Sequence, residues 1–312
     1  RKGRCFLTVK IVTDSTSYLP QNLRRELDVD VISLNVHLGN ESFREVEIDN
    51  HVFYQKMAAC KQFPTTSQPA VQEFVTVFER HVQADEPVVA IFLSSKMSGT
   101  FSTASLARQM LLERYPQAEI EIIDSKSNSM EMGLAVLNAA RAAKAGKTFA
   151  EVKAAAEHTI ARSRFLFVPE KLDYLKKGGR LSSAAALIGS VLQIKPVLTV
   201  IDGAAEVFSK VRSAEKALDL ILSTFLADVK EKGFGEAVVH HINNELEGYR
   251  LAARIEKELH VTPAIIPIGP IIGCHVGPGA LGIAYYTKDA STLGASANAS
   301  AIRTQAVAGT AH

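Results

Sequence analysis

The chain reads as an α/β protein of two α/β domains, the first with a mainly parallel sheet covered by helices and the second with a mixed sheet. Three observations predict this. Short β-branched runs alternate with longer helical patterns through the first half, which is the signature of βαβ units. The pattern changes after an alanine-rich segment near residues 150–164. The length, 312 residues, exceeds what one hydrophobic core usually organises. We therefore divide the chain into domains at 1–163 and 164–289, with 290–312 left as a low-complexity tail, either disordered or derived from the expression vector.

Taken in order, Lys10 to Thr13, Val29 to Leu34, Val88 to Leu93 and Ile120 to Ile123 are short apolar runs stopped by polar or small residues, as buried strands require. Between and after them, Val52 to Cys60, Val71 to Gln83, Thr103 to Arg114 and Gly133 to Ala145 carry apolar residues at helical spacing. The helix Ala150 to Ala161 leads into the strand Phe165 to Val168, followed by Leu172 to Lys177, which ends at Gly178-Gly179. Leu181 to Val191 reads as a nearly all-apolar helix. Val197 to Val200 and Glu206 to Val211 flank Asp202-Gly203, a hairpin dipeptide. Helices Ala214 to Lys232 and Glu245 to His260 bracket the strand Ala237 to Ile242.

Composition narrows the function. A net charge of +2, with basic and acidic residues interspersed, gives no arm or stripe for nucleic acid. Cys5, Cys60 and Cys274 have no paired spacing, which argues against a zinc site or a disulfide framework and fits a reducing, cytoplasmic setting. No apolar run approaches the ~20 residues that span a bilayer. No Walker motif or G-x-S-x-G elbow occurs, so neither a triphosphate cradle nor a local nucleophile elbow is encoded, although a Ser-His-Asp set drawn from distant segments stays open.

The informative segments are three hydroxyl-rich or glycine-rich loops: Thr65-Thr66-Ser67-Gln68-Pro69, Ser94 to Thr100, and Gly273-Cys274-His275-Val276-Gly277-Pro278-Gly279. Neutral donors at strand and helix ends suit a single carboxylate better than a triphosphate. Ser98 and Gly99 open a helix whose first amides favour an anion, with Ser95 just upstream; Ser98 equally fits a plain N-cap. Thr66 and Ser67 precede the helix at Val71 and fit capping or turn formation as well as ligand binding. The glycines around His275 let a ligand approach its imidazole, which would pair with a carboxylate if protonated. Further hydroxyls at Asp14 to Ser17 and Asp124 to Ser127 follow strands, and are expected to line the same sheet end. Arg180, in Lys176-Lys177-Gly178-Gly179-Arg180, is read either as part of a helix end or as a contact for the site or an acidic partner.

At these segments the chain resembles the DegV family of bacterial fatty-acid-binding proteins. The match runs through Val12-Thr13-Asp14-Ser15-Thr16, Thr66-Ser67-Gln68-Pro69, Leu93 to Thr100, Asp124 to Ser127, Leu172 to Arg180 and Gly273 to Ala280, in order over about residues 9–287. The resemblance implies one long-chain fatty acid buried between the two domains. Thr66 and Ser98 would hold its carboxyl, with His275 nearby and Arg180 at the pocket mouth or partner surface. It implies a non-enzymatic carrier with no cofactor, which presents the acid to a separate ATP-binding fatty-acid kinase subunit for acyl-phosphate formation and phospholipid synthesis. Cys274 and Val276 depart from the threonines common in the family, and the segment Asn128 to Gly133 departs in spacing. The apolar wall is expected from Phe165 and Phe167 together with Leu187, Ile188, Val191, Leu192 and Ile194. The competing readings are a serine hydrolase using Ser98 with His275, a small-molecule kinase of related fold, and a lipid-sensing regulator.

Overall fold

The computed structural model describes residues 8–180 and 194–289. Cys5, the helix expected over Leu181 to Val191 and the tail at 290–312 lie outside the described residues, as do Leu187, Ile188, Val191 and Leu192.

Four strands, β1 (Lys10–Asp14), β2 (Val29–Ile32), β6 (Val88–Phe92) and β7 (Ile120–Asp124), form a parallel sheet in the order β2-β1-β6-β7. Every residue of Val88–Phe92 is buried, the continuous apolar run expected of a strand covered on both faces. A second, six-stranded sheet comprises β8 (Ser163–Val168), β9 (Lys195–Ile201), β10 (Ala204–Val211), β11 (Phe234–His241), β12 (Ala264–Pro267) and β13 (Leu281–Thr287). Its order is β10-β9-β8-β13-β11-β12, antiparallel except for β11 with β12, so the sheet is mixed. Asp202 and Gly203 both take positive φ in the β9–β10 turn, which their dipeptide favours.

Between the two sheets lies α5 (Ser129–Lys144), buried along most of its length and packed against β1, β6, β8 and β13. Its small side chains, Ala135, Ala139, Ala140 and Ala143, let both sheets approach, and one hydrophobic cluster runs through it from Ile11 and Val89 to Phe165 and Ala284. The outer face of the first sheet is covered by α3 (Val71–Gln83) and α4 (Thr100–Arg114) through Phe74, Phe78 and Phe92. The outer face of the second carries α8 (Ala214–Lys232) and α9 (Glu245–Leu259) through Phe225 and Tyr285. Helix α6 (Phe149–Ile160) opens on a reciprocal cap between Thr148 and Glu151.

Three short elements differ from the sequence expectation. Thr65 to Ser67, expected as a loop or helix cap, is strand β5, paired antiparallel to β3 (Asn35–Leu38), which also pairs with β4 (Glu41–Arg44). Gly273 to Val276, expected as part of a glycine-fixed loop running to Gly279, instead belongs to helix α10 (Pro270–Val276), with Pro270 at its first turn. The strand expected over Val29 to Leu34 ends at Ile32. Helices α1 (Gln21–Glu26), α2 (Asn50–Ala59) and α7 (Asp173–Gly178) complete the frame.

Asp14 pins the carboxyl ends of the central strands. Its Oδ1 accepts from Thr16 N (2.9 Å) and Thr16 Oγ1 (2.5 Å), and its Oδ2 accepts from Leu93 N (2.8 Å), all without solvent exposure. Asp14→Ala would leave these donors buried without an acceptor, so we expect a loss of about 3 kcal/mol of stability. A denaturant midpoint equal to that of the wild type would refute this role.

Candidate functional site

A cavity of about 270 Å³ opens beyond the carboxyl end of β6, between the parallel sheet, β5, α10 and the inner face of the mixed sheet. All three sequence segments reach it. Thr66 and Ser67 enter from β5, Ser98 and Gly99 from the start of α4, and His275 and Val276 from α10.

The polar residues contact one another in a chain. Thr66 Oγ1 and His275 Nε2 share a hydrogen bond of 3.0 Å across 209 positions of sequence. His275 lies against Gly178, where a Cβ would stand 2.7 Å from Nδ1; Nδ1 approaches the Gly178 backbone without reaching full hydrogen-bond geometry. Arg180 Nη1 donates to Gly178 O (2.7 Å) and Arg180 Nε donates to Met97 O (3.3 Å), tying α7 to the loop that carries Ser98. Ser98 Oγ pairs with Thr100 Oγ1 (2.9 Å) and accepts from Thr100 N (3.3 Å). Gly99, the N-cap of α4, leaves the room occupied by Gln68: a Cβ there would fall 1.9 Å from Gln68 Oε1. Ser67 Oγ pairs with His37 Nε2 at 3.0 Å.

Burial pushes His275 down to about 4, with the Arg180 charge acting in the same direction and the Gly178 backbone opposing. The imidazole is therefore neutral at physiological pH. In that state His275 offers a hydrogen bond, and Arg180 supplies positive charge at the site.

Ser95 belongs elsewhere. It is exposed, its Oγ donates to Asp124 Oδ2 (2.6 Å), and it is not among the residues lining the cavity. The hydroxyls after β1 and β7 are likewise committed to the fold. Ser15 Oγ accepts from Leu34 N, Thr16 serves Asp14, Ser17 Oγ donates to Asp14 O, and Ser127 Oγ bonds the Glu131 carboxyl. Ser94 Oγ donates to Gly203 O at 2.6 Å, joining the two sheets. These segments hold the frame because buried carboxyls and backbone groups take up their hydroxyls.

The rest of the lining is mainly apolar. Phe165 and Phe167 are there, stacked with centroids 4.8 Å apart, whereas Ile194 is not among the lining residues. Sequence reasoning missed Leu34, Leu93, Met97, Ile271 and Ile272, and it missed His240. His240 Nδ1 donates to Ile266 O (2.8 Å), which leaves Nε2 to accept from Met130 N (2.9 Å). Burial pushes this ring, too, down to about 4. The adjacent histidines at the end of a strand, followed by Ile242-Asn243-Asn244, were the available signal.

No cluster of metal-ligand spacing occurs among the described residues, and none of their helices is long and apolar enough to cross a membrane.

A family model described as "Uncharacterised protein, DegV family" matches residues 8–288. A DegV domain-containing protein of Clostridium acetobutylicum is 49% identical over 282 residues, covering 90% of this chain and 99% of its own length. Among solved structures, DegV, a fatty acid binding protein from Bacillus subtilis, superposes with a TM-score of 0.83 at 33% identity, covering 90% of this chain and all of that one. A stearic acid-binding protein from Eubacterium ventriosum gives a TM-score of 0.83 at 30% identity, covering 90% and 98%.

Proposed function

Because the chain belongs to the DegV family, we propose that it binds one long-chain fatty acid in the cavity between its sheets. In this reading Thr66 and Ser98 hold the carboxyl, and Ser67, Gly99 and His275 complete the polar end. Arg180 stands at the mouth. The observation that carries the proposal is the lining itself: mostly aliphatic and aromatic walls, with neutral hydroxyls, the Gln68 and Asn128 amides, uncharged imidazoles and a single guanidinium as the polar groups. Such a site takes an amphiphile with one acid group. The solved relatives described as binding fatty acids support the same ligand class.

We further propose that the chain is a cytoplasmic carrier that presents the carboxyl to a separate ATP-binding kinase subunit, rather than an enzyme. A hydrolase would need a nucleophile bonded to a base that is oriented in turn by an acid. Here Ser98 Oγ pairs with Thr100, His275 Nε2 pairs with Thr66, and His275 Nδ1 lies against the Gly178 backbone. Domains at 1–163 and 164–289 would then each supply one side of the ligand site.

Organic extraction of the purified protein followed by mass spectrometry is expected to release a long-chain acid. Thr66→Val and Ser98→Ala each remove a neutral hydroxyl, worth about 0.5 to 1.5 kcal/mol, so affinity should fall only about twofold to tenfold. Acyl-phosphate formation with the kinase subunit should fall by about a hundredfold, because the carboxyl loses its orientation. Equal losses in both measurements would count against an orienting role.

A further inference from the structure

Helix α10 supplies Ile271, Ile272, His275 and Val276 to the cavity, so whatever fixes α10 fixes the carboxyl site. Three side chains from the other side of the cleft grip its leading end. Glu45, which follows β4, accepts from Ile271 N at 2.8 Å through Oε1. Tyr18 Oη accepts from Ile272 N (3.2 Å) and donates to the same Glu45 oxygen (3.0 Å). Tyr54 Oη, from α2, lies 3.0 Å from Ile268 O and 3.1 Å from Gly269 O. Gly269 is the close-approach point, since a Cβ there would sit 2.7 Å from Glu45 Oε1 and 2.8 Å from Tyr18.

An acid in this position is unusual. Glu45 is only 7% exposed, and no cation pairs with it among the described ion pairs. Its Oε2 has no hydrogen-bond partner in a buried setting. A glutamine of the same shape would satisfy the Ile271 amide without burying a carboxylate, so the ionisable group asks for an explanation.

We infer that Glu45 is a positioning residue for the ligand site: with Tyr18 it latches α10 across the cleft, holds His275 against Thr66, and releases α10 when its carboxyl ionises. The lipid consequence rests on the fatty-acid reading above; the latch does not.

The electrostatics agree. Burial pushes Glu45 up to about 7, against the nearby Ser15 hydroxyl and the hydrogen bonds from Ile271 and Tyr18, with the charge of Asp14 adding to the rise. The other titratable groups facing it are Tyr18 and Tyr54, whose hydroxyls burial raises, and Cys274 on α10, whose thiol burial also raises. Arg24 lines the same cleft from α1. The closed latch therefore keeps a proton that a solvated Glu45, at its ordinary value of 4.5, would lose. Between these two values, opening releases a proton and is favoured up to about tenfold per pH unit as pH rises; above about 7 the dependence flattens. His240 and His275, both pushed down by burial, act in the opposite sense, so the effect must be read as a difference between variants.

Amide hydrogen exchange on the full chain tests this without any ligand. Glu45→Ala and Tyr18→Phe should each speed exchange across 268–276 by about tenfold or more, while α8 stays unchanged. Glu45→Gln should keep protection, and the ratio of wild-type to Glu45→Gln exchange in 268–276 should climb between pH 5 and 7 and then level off. Unchanged exchange in both Glu45→Ala and Tyr18→Phe, or a ratio flat with pH, overturns the latch. The ratio of dissociation constants for [1-13C]palmitate in the same two proteins should follow the same curve, and taking the ratio cancels the titration of the acid itself. If neither protein binds palmitate while the exchange pattern appears, the fatty-acid reading fails and the latch stands.

Discussion

Replacing a sixteen-carbon acid by its ten-carbon homologue is expected to weaken binding by about three orders of magnitude. Six fewer methylenes at ~0.8 kcal/mol each remove ~5 kcal/mol of transfer free energy, or roughly 3,000-fold in the dissociation constant. The polar end is the same for both ligands, so the difference reports the tail alone. Its hydroxyl bonds contribute only ~0.5 to 1.5 kcal/mol each, and the long acid's ~14 buried methylenes represent ~11 kcal/mol before the cost of association. Calorimetry over a series of saturated acids should give a steady gain of about fourfold per methylene and a negative heat-capacity change. A series flat in chain length would place the affinity in the headgroup and remove the reason for walls built of Phe165, Phe167, Leu93, Ile271 and Ile272.

How much of this was legible in the sequence depended on the size of each element and the distance between its partners. The run Val88–Phe92 declared itself because a strand buried on both faces has no polar alternation, and α3 and α8 declared themselves through sustained helical spacing. Strand β5 did not, because three residues cannot display a period and its threonines serve turns equally well. Helix α10 is seven residues long, apolar apart from His275 and interrupted by Gly273, so it carries no amphipathic signal. Hydroxyl-rich segments announced where chemistry was available without saying which hydroxyls the fold itself would use. Ser98 and Ser95 lie three positions apart, yet one lines the cavity and the other bonds Asp124, because the chain turns between them. The contacts of His275 with Thr66 and of Glu45 with Ile271 cross more than two hundred positions, and no local pattern encodes them.

Gly273→Ala should reduce affinity for a long-chain acid by about a hundredfold, although the added methyl never touches the ligand. A Cβ at this position would stand 2.0 Å from Tyr54 Oη and 2.8 Å from its Cζ, so one partner must move. Tyr54 cannot swing away cheaply. It is 4% exposed, its hydroxyl is held at the Ile268 and Gly269 carbonyls, and its ring packs edge-on against Phe53 at 5.4 Å. The helix must shift instead, drawing Ile272 and His275 out of register with the cavity and stretching the 3.0 Å contact with Thr66. Overpacking of this kind costs about 1 to 3 kcal/mol, which stability measurements should register alongside the loss of binding. Tyr54→Phe in the same chain removes the nearest atom of the clash and leaves the Cζ contact, so the double variant should recover part of the affinity lost by Gly273→Ala alone. That recovery is a coupling between residues 54 and 273 that additive losses would contradict. Wild-type affinity in Gly273→Ala would mean that the position of α10 does not govern the ligand site.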